Sequence, residues 1–323
     1  MERATVARTH LDRCLTCRAC ETTCPSGVRY SELLEIGRLQ VEARAPRGPL
    51  ARWLRGALVA VLPRRALFGL LASLGRTFRW VLPGALKAHL PKVPRVTRIA
   101  QVPRKRRVVV LQGCVQEALT PQVNAQLERL LDARGVQTVR VAKERCCGGL
   151  ALHLAREDEA EAAMAANVVA LSGALSDAEA IISTASGCGV TVKDYGRLLA
   201  ARAEAAAAAR VAEATQDVVE YLSQVDFDNR TDVQRVAFHS PCSLQHGQGL
   251  SGAAERILER AGYELMPVKD AHLCCVSAGT YSLLQSEMSG RLRDAKLESL
   301  TASRPDVIAT ANVGCQTHLG GGG

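Results

Sequence analysis

At 323 residues the chain is long enough for about two domains, and 47% hydrophobic with 23% charged residues is typical of a globular protein rather than a disordered one. The net charge of +9 is uneven, because the 16 Arg and Lys residues between Glu42 and Glu117 have no acidic residue among them. No apolar stretch approaches the ~20 residues of a bilayer span, and the N-terminus lacks the apolar core of a secretory signal. We therefore expect a cytoplasmic chain whose twelve cysteines bind metal rather than form disulfides.

The first predicted element, within residues 1–43, is half of a ferredoxin-type domain. Its four cysteines are Cys14, Cys17, Cys20 and Cys24. Their spacing, with a proline following, is the C-x₂-C-x₂-C-x₃-C-P signature of bacterial iron–sulfur proteins, with zinc as the alternative. In two-cluster ferredoxins the fourth cysteine binds a second cluster, and no companion motif is present here. A partner or a longer chain would supply the missing ligand; otherwise the cluster would have only three protein thiolates. A helix over Ser31–Val41, capped by Ser31, is predicted to follow.

Residues 44–107 form a basic segment that is punctuated by prolines. Its apolar residues cluster in three short stretches, Ala57–Leu62, Ala66–Leu74 and Trp80–Leu86. Amphipathic segments rich in Arg and Trp suit an anionic membrane surface or an acidic partner subunit. A basic surface that only tunes solubility is the alternative. Nucleic acid is not expected, because the segment is apolar and carries no binding motif.

An internal repeat begins at Arg107 and covers the rest of the chain. Its cysteines form two sets of four: Cys114, Cys146, Cys147 and Cys188, then Cys242, Cys274, Cys275 and Cys315. In both copies the single cysteine precedes the doublet by 32 residues, and the last cysteine follows it by 41 or 40 residues. Scattered core cysteines would not keep such intervals. We therefore predict two modules, residues 108–228 and 229–323.

Each module contains three predicted strands that alternate with helices. The strands are Val108–Leu111, Thr138–Val141 and Ala180–Thr184, then Val236–Phe238, Glu264–Val268 and Asp306–Thr310; helices are predicted over Pro121–Arg134, Ala200–Ala214 and Ala253–Ala261. This alternation predicts an α/β fold with mainly parallel sheets, after a small α-helical ferredoxin-like segment. The cysteines would then gather at the carboxyl ends of the strands, where helix N-termini stabilise thiolates.

Four thiolates in each module are enough for one iron–sulfur cluster or one Zn²⁺ ion, and spacing does not choose between them. The adjacent Cys146 and Cys147 suit a cluster better, because they can reach different irons. Buried packing thiols are the structural alternative.

Three histidines lie near cysteines in the sequence: His239, His246 and His318. They could touch a cluster, although hydrogen bonds to backbone are the simpler expectation for loop histidines. A G-x-G-x-x-G pattern over 247–252 stands several residues past its strand, so we interpret it as a loop entering a helix rather than a dinucleotide site. Tyr281 is expected to pack in the core. No Ser–His–Asp set or nucleotide-phosphate loop is evident, and no catalytic residue is predicted.

These motifs resemble the iron–sulfur subunit of glycolate oxidase (glycolate dehydrogenase). THLDRCLTCRACETTCPSGVRYSELLEIGR is similar to its second ferredoxin motif, and RCCGG, HSPCSLQHGQG, CCVSAGTYSLLQ and ANVGCQTHL resemble its two cysteine-rich (CCG) domains. Those domains also occur in heterodisulfide reductase, anaerobic glycerol-3-phosphate dehydrogenase and lactate-utilisation proteins. The resemblance implies a [4Fe-4S] cluster on Cys14, Cys17 and Cys20, and a further iron–sulfur cluster or zinc in each module.

The resemblance further implies that FAD sits only on partner subunits, which oxidise a 2-hydroxy acid. This chain would pass the electrons to a quinone-type acceptor, as a cytoplasmic protein peripheral to the inner face of the cytoplasmic membrane. The family's upstream ferredoxin motif and its continuation past GCQTHL are missing, so we expect a chain shortened at both ends.

Two departures from the wider family concern single positions. Val276 stands where glycine is usual. Thr191 and His318 stand where heterodisulfide reductase has the second cysteine of a C-x₂-C pair. This argues against the first alternative function, a thiol–disulfide redox protein of that type. A zinc-stapled scaffold without redox function is the other alternative.

Overall fold

A computed structural model describes residues 2–82, 90–226 and 232–321. The N-terminal part is helical, with helices at Glu2–Asp12, Ala19–Thr22, Tyr30–Arg44, Pro49–Val61 and Arg65–Thr77 and a 3₁₀ turn at Arg79–Val81. The helix expected after the ferredoxin-type motif is present, but it begins at Tyr30. Ser31 therefore lies within it and is not its N-cap. The Ser31 amide donates instead to the Glu21 carboxylate, at 2.5 Å.

The basic segment folds into two helices that pack on the first module. We call Pro49–Val61 and Arg65–Thr77 the basic helix pair; they contain the first two predicted apolar stretches. Arg65 donates to the carbonyl oxygen of Glu144, and Arg76 donates to that of Ala118 at 3.0 Å. The third stretch, Trp80–Leu86, runs beyond the described residues. Among the described residues no single helix could cross a bilayer, and only this pair, taken together across its 105° bend, reaches that length and composition.

The first module is built on a four-stranded parallel sheet in the order β2-β1-β3-β4. Its strands are β1 at Arg106–Val110, β2 at Val136–Val139, β3 at Ala180–Ser183 and β4 at Thr215–Asp217. Its helices are Gln116–Leu119, Pro121–Ala133, Gly149–His153, Glu157–Leu175, Ser186–Lys193, Tyr195–Leu198, Ala205–Ala214 and Val218–Leu222. Helices cover both faces, because Val109 packs with Leu171 on one side and Val108 with Leu131 on the other.

The second module repeats the central part of this arrangement. Its parallel sheet has the order β6-β5-β7, with β5 at Arg235–His239, β6 at Glu264–Leu265 and β7 at Val307–Thr310. The helices are Cys242–Gln245, Ala253–Arg260, Tyr281–Leu284, Ser286–Thr301 and Val313–Gly320. All strand pairs in the described residues are parallel, which confirms the predicted α/β class. Strand β4 was not predicted, and β6 is shorter than the expected Glu264–Val268.

The two modules meet through their cysteine-bearing ends. The hydroxyl of Ser186 lies 2.7 Å from that of Ser243, and the Ser186 amide donates to the Ala311 carbonyl at 3.2 Å. Gly247 allows this approach, because a Cβ there would lie 2.8 Å from the Ser243 carbonyl oxygen and 2.9 Å from Val190. The glycine-rich loop therefore serves packing between modules, as a loop that enters the helix Ala253–Arg260.

Candidate metal centres

The cysteines of the first module converge at the carboxyl edge of its sheet. Cys114 follows β1, the doublet follows β2, and Cys188 lies in the first turn of the helix Ser186–Lys193 that follows β3. Their thiols interact in sequence, Cys114 with Cys146, Cys146 with Cys147, and Cys147 with Cys188. These contacts, together with burial, raise the pKa of Cys146 and Cys188 well above the ordinary value and that of Cys147 to about 12. Without metal these thiols hold their protons, which a metal ion would displace on binding.

The second module repeats the same chain of thiol contacts in the same order. The Sγ atoms of Cys274 and Cys242 are 3.6 Å apart, and those of Cys275 and Cys315 are 2.9 Å apart. Cys242 opens a helix, and Cys315 is the third residue of the helix Val313–Gly320. The pKa of Cys315 is lowered to about 6, first by the Cys275 thiol and then by His239. A helix N-terminus also favours the thiolate here.

Both sets of thiols fit a metal centre by the chemistry of their donors. None of the twelve cysteines forms a disulfide. Thiolates are the ligands that iron–sulfur clusters and Zn²⁺ prefer, and four of them complete a site. Hydrophobic packing of thiols gives no reason for the same order of sulfur contacts in two modules. The arrangement is therefore that of two four-thiol sites, one for each module.

A buried carboxylate shapes the loop that carries Cys114. Glu144 accepts hydrogen bonds from the backbone amides of Gln112, at 3.0 Å, and Gly113, at 3.1 Å. Burial raises the pKa of Glu144, and the amides of Gln112 and Gly113 partly oppose this. The sequence did not predict this role, because Glu144 lies 30 positions after the loop that it orders.

Asn167 and Tyr195 hold the backbone of the cysteine doublet. The Asn167 amide nitrogen donates to the Cys146 carbonyl at 2.9 Å, and its oxygen accepts from the Arg145 amide at 2.7 Å. The Tyr195 hydroxyl donates to the Cys147 carbonyl at 2.9 Å. Because both side chains are buried, the two thiols are presented from a fixed backbone. Neither residue carries a signal in the sequence, since both lie on helices far along the chain.

Different residues support the second doublet. The Lys296 ammonium donates to the Asp270 carbonyl at 3.0 Å, and the Ser289 hydroxyl donates to the Val276 carbonyl at 3.1 Å. The Val276 amide donates to the Cys274 sulfur at 3.2 Å. Val276 has a left-handed backbone with φ of 66°, where the first module has Gly148 with φ of 86°. The backbone path is thus shared by the two modules, although the side chains that fix it differ.

The N-terminal motif places three of its cysteines together and lies against the second module. Burial raises the pKa of Cys17, and the neighbouring Cys274, Cys14 and Cys20 add to this effect. Cys24 differs from these three, because backbone amides of its own loop, that of Val28 first, lower its pKa. This grouping agrees with the two-cluster pattern, in which the fourth cysteine serves another cluster.

Two polar contacts fix the N-terminal motif, one to each module. Arg18 forms an ion pair with Asp194 of the first module, with N and O 2.5 Å apart. The Thr22 hydroxyl lies 2.9 Å from Nδ1 of His246 in the second module.

The three histidines differ in their surroundings. His246 meets Thr22, and Nε2 of His318 lies 3.0 Å from the Ser289 hydroxyl. Side-chain hydroxyls thus contact both of these histidines. His239 instead lies with the thiols of Cys275 and Cys315, and the three ligand atoms are within 4.8 Å of one another. Tyr281 is buried, as expected.

Comparison with known proteins matches the observed architecture. A model of the cysteine-rich domain (CCG) matches residues 108–193 and 236–320, one match in each module. The chain is 44% identical over 320 residues to the glycolate oxidase iron-sulfur subunit of Escherichia coli (strain K12), covering 97% of this chain and 78% of that relative. The chain belongs to the glycolate oxidase iron–sulfur subunit family.

Two further relatives are less similar to the chain than the Escherichia coli protein. The probable glycolate oxidase iron-sulfur subunit of Bacillus subtilis (strain 168) is 28% identical over 96% of this chain and 76% of its own length. Lactate utilization protein A of Geobacillus kaustophilus is 27% identical over 67% of this chain and 90% of its own length. The resemblance inferred from the motifs is therefore confirmed.

Proposed function

We propose that the chain is the iron–sulfur electron-transfer subunit of a flavin-dependent glycolate or related 2-hydroxy acid oxidase. It would take electrons from an FAD-bearing partner subunit and pass them to a quinone-type acceptor. The observation that carries the proposal is the convergence of the repeat cysteines into two equivalent four-thiol sites, with a third group of cysteines beside the second site. Iron–sulfur clusters, when bound, accept and release single electrons. Substrate oxidation is assigned to the flavin partner.

The positions of the three cysteine groups support a path for electrons. Cys17 lies close enough to Cys274 and Cys242 for their charges to interact, so the N-terminal group and the second site are neighbours. The modules meet where Ser186 contacts Ser243, each within three residues of a predicted ligand. Electron transfer slows steeply with distance, and neighbouring ligand sets keep each step short. The chain's own contribution is to fix these distances.

We also propose that the protein lies on the inner face of the cytoplasmic membrane, through the basic helix pair. Its exposed apolar side chains are Leu50, Trp53, Leu54, Leu70, Leu71 and Leu74. Arg52 and Arg64 are exposed and have no ionic partner among the described residues. An apolar stripe flanked by free arginines suits an anionic lipid surface, which would bring the chain to a membrane quinone.

The first test is the metal content of the protein after anaerobic purification. We expect iron and acid-labile sulfide, and an electron paramagnetic resonance (EPR) signal after reduction with dithionite. The double variants Cys146→Ser/Cys147→Ser and Cys274→Ser/Cys275→Ser should each lose the iron of one module and keep that of the other, so that each is the control for its counterpart. Zinc without sulfide would overturn the proposal in favour of the scaffold. Reduction of a disulfide substrate by the purified chain would favour the thiol–disulfide alternative.

A further inference from the structure

His239 is a buried polar side chain without a hydrogen bond. It ends the central strand β5 and is 1% exposed. Neither of its ring nitrogens makes a hydrogen bond within the described residues. A buried donor or acceptor left without a partner costs roughly 1–3 kcal/mol, so native proteins seldom keep one without a role. Among the described residues, the neighbouring thiols are the groups with which this imidazole can interact.

The candidate partners that lie near this imidazole are sulfur atoms of the second site. A ring nitrogen of His239 and the sulfurs of Cys275 and Cys315 lie within 4.8 Å of one another. Ligands of one tetrahedral metal atom, at about 2.0–2.3 Å from it, are separated by roughly 3.5 Å. All three groups are buried, and the Asn312 side-chain nitrogen lies 3.6 Å from the Cys315 sulfur. Small shifts of the side chains would thus place all three donors around one metal centre.

Among the described residues, no such nitrogen lies beside the thiols of the first module. The residue that corresponds to His239 there is Leu111, since each stands three positions before the single cysteine of its module. Leu111 is buried in the apolar core with Val109 and Ile181. The two modules share their thiols, but the second has an imidazole beside them where the first has the apolar Leu111.

We propose that His239 is a nitrogen ligand of the metal centre in the second module, whereas the centre in the first module has thiolate ligands only. This inference rests on the metal binding proposed above. An imidazole ligand is neutral where a thiolate is charged, so an iron–sulfur centre that it binds has a higher reduction potential than one held by thiolates alone. The second centre would then have the higher potential of the two. Electrons entering the chain would collect there.

The experiment measures, by pulsed EPR, the coupling of ¹⁴N to the reduced metal centre of the holoprotein and of its variants. The Cys146→Ser/Cys147→Ser background removes the first centre. We expect the strong ¹⁴N coupling of a bound imidazole in this background and its loss in His239→Leu, which copies Leu111. His246→Asn, a histidine held by Thr22, is the matched control and should keep the coupling.

Further variants separate a ligand role from a structural one. His239→Gln keeps a polar side chain and serves if the leucine variant fails to fold. It should also lose the ¹⁴N coupling. In the otherwise native chain, the first centre of this variant should still contain iron. Coupling that persists without His239, or only weak coupling typical of a hydrogen bond, would overturn the proposal. If the purified protein contains zinc and no sulfide, the proposed function fails. X-ray absorption at zinc then tests the ligand separately: a nitrogen in the coordination shell supports His239 as a ligand, and four sulfurs exclude it.

Discussion

Val276 adopts a backbone conformation that its own side chain opposes. A β-branched residue with positive φ is strained by about 1–2 kcal/mol, since its Cβ crowds the following carbonyl. Val276 is nevertheless 1% exposed, with φ of 66°, and its amide points at the Cys274 sulfur. The strain is retained because this path delivers the doublet to the site.

We therefore predict that Val276→Gly is more stable than Val276→Ala, by about 1 kcal/mol. Glycine relieves the left-handed strain and alanine does not, whereas at ordinary positions alanine is the more stable by roughly 0.5–1 kcal/mol. The free energy of unfolding by urea measures both variants. Val169, exposed on the helix Glu157–Leu175, provides the control: Val169→Ala should be more stable than Val169→Gly. The same order at both positions would contradict the strain argument.

At the scale of elements, the basic helix pair combines exposed apolar residues with Arg52, an exposed arginine that has no ion pair within the described residues. Trp53 is 69% exposed, next to Leu50 and Leu54 on the same helical face. Many other arginines of the basic segment are occupied, as Arg98 is by Glu117 and Glu128. The surface left for a partner therefore includes this stripe, and exposed apolar residues continue beyond it at Phe78, Trp80 and Val81.

We expect the protein to sediment with vesicles that contain anionic lipid, and less with neutral vesicles or at high salt. Trp53→Ser should weaken vesicle binding roughly tenfold, the equivalent of about 1.4 kcal/mol. Val169→Ser removes a side chain of equal exposure outside the pair and should leave binding unchanged. Equal effects of the two variants, or equal binding to neutral vesicles, would instead favour a protein partner on this stripe.

The predicted elements succeeded where local sequence decides the structure. The buried part of β1, Val108–Val110, and most of β3, Ala180–Ile182, are apolar runs, as strands buried on both faces are, and both strands were placed to within two residues. β4, Thr215–Asp217, was missed because three residues with a single β-branched side chain carry no periodic signal; pairing with β3 makes it a strand. The repeated cysteine intervals indicated both sites. Glu144, Asn167 and Tyr195 could not be found, because only tertiary folding brings them to the doublet.

At the scale of the molecule, Asp217 links the two modules. Its carboxylate accepts from the Val219 amide at 3.1 Å and from the Gln248 side chain of the second module at 2.9 Å. Burial raises the pKa of Asp217 from 3.8 to about 6. The folded protein thus binds this proton more tightly than the unfolded chain. The contribution to stability is complete below about pH 4 and is lost as the pH rises through 6.

Between pH 4 and pH 7, the free energy of unfolding of Asp217→Asn should therefore rise relative to that of the wild type by on the order of 2 kcal/mol. Urea unfolding of both proteins in the same metal state measures the difference. Asp306→Asn is a control of opposite sign, since the hydrogen bond from Arg235 lowers the pKa of Asp306 and its contribution is lost in acid. A difference for Asp217→Asn that does not change with pH would contradict the prediction.

The contact between Thr22 and His246 has a consequence for how the protein is made. These residues are 224 positions apart in the chain. At about 5–20 residues per second, the ribosome needs on the order of 10–45 s to synthesise the stretch between them. During that time the N-terminal cysteines have left the exit tunnel, but the surface they dock on does not yet exist. Under the proposed function, iron would therefore reach these cysteines after translation, and the nascent segment would need protection from oxidation until then.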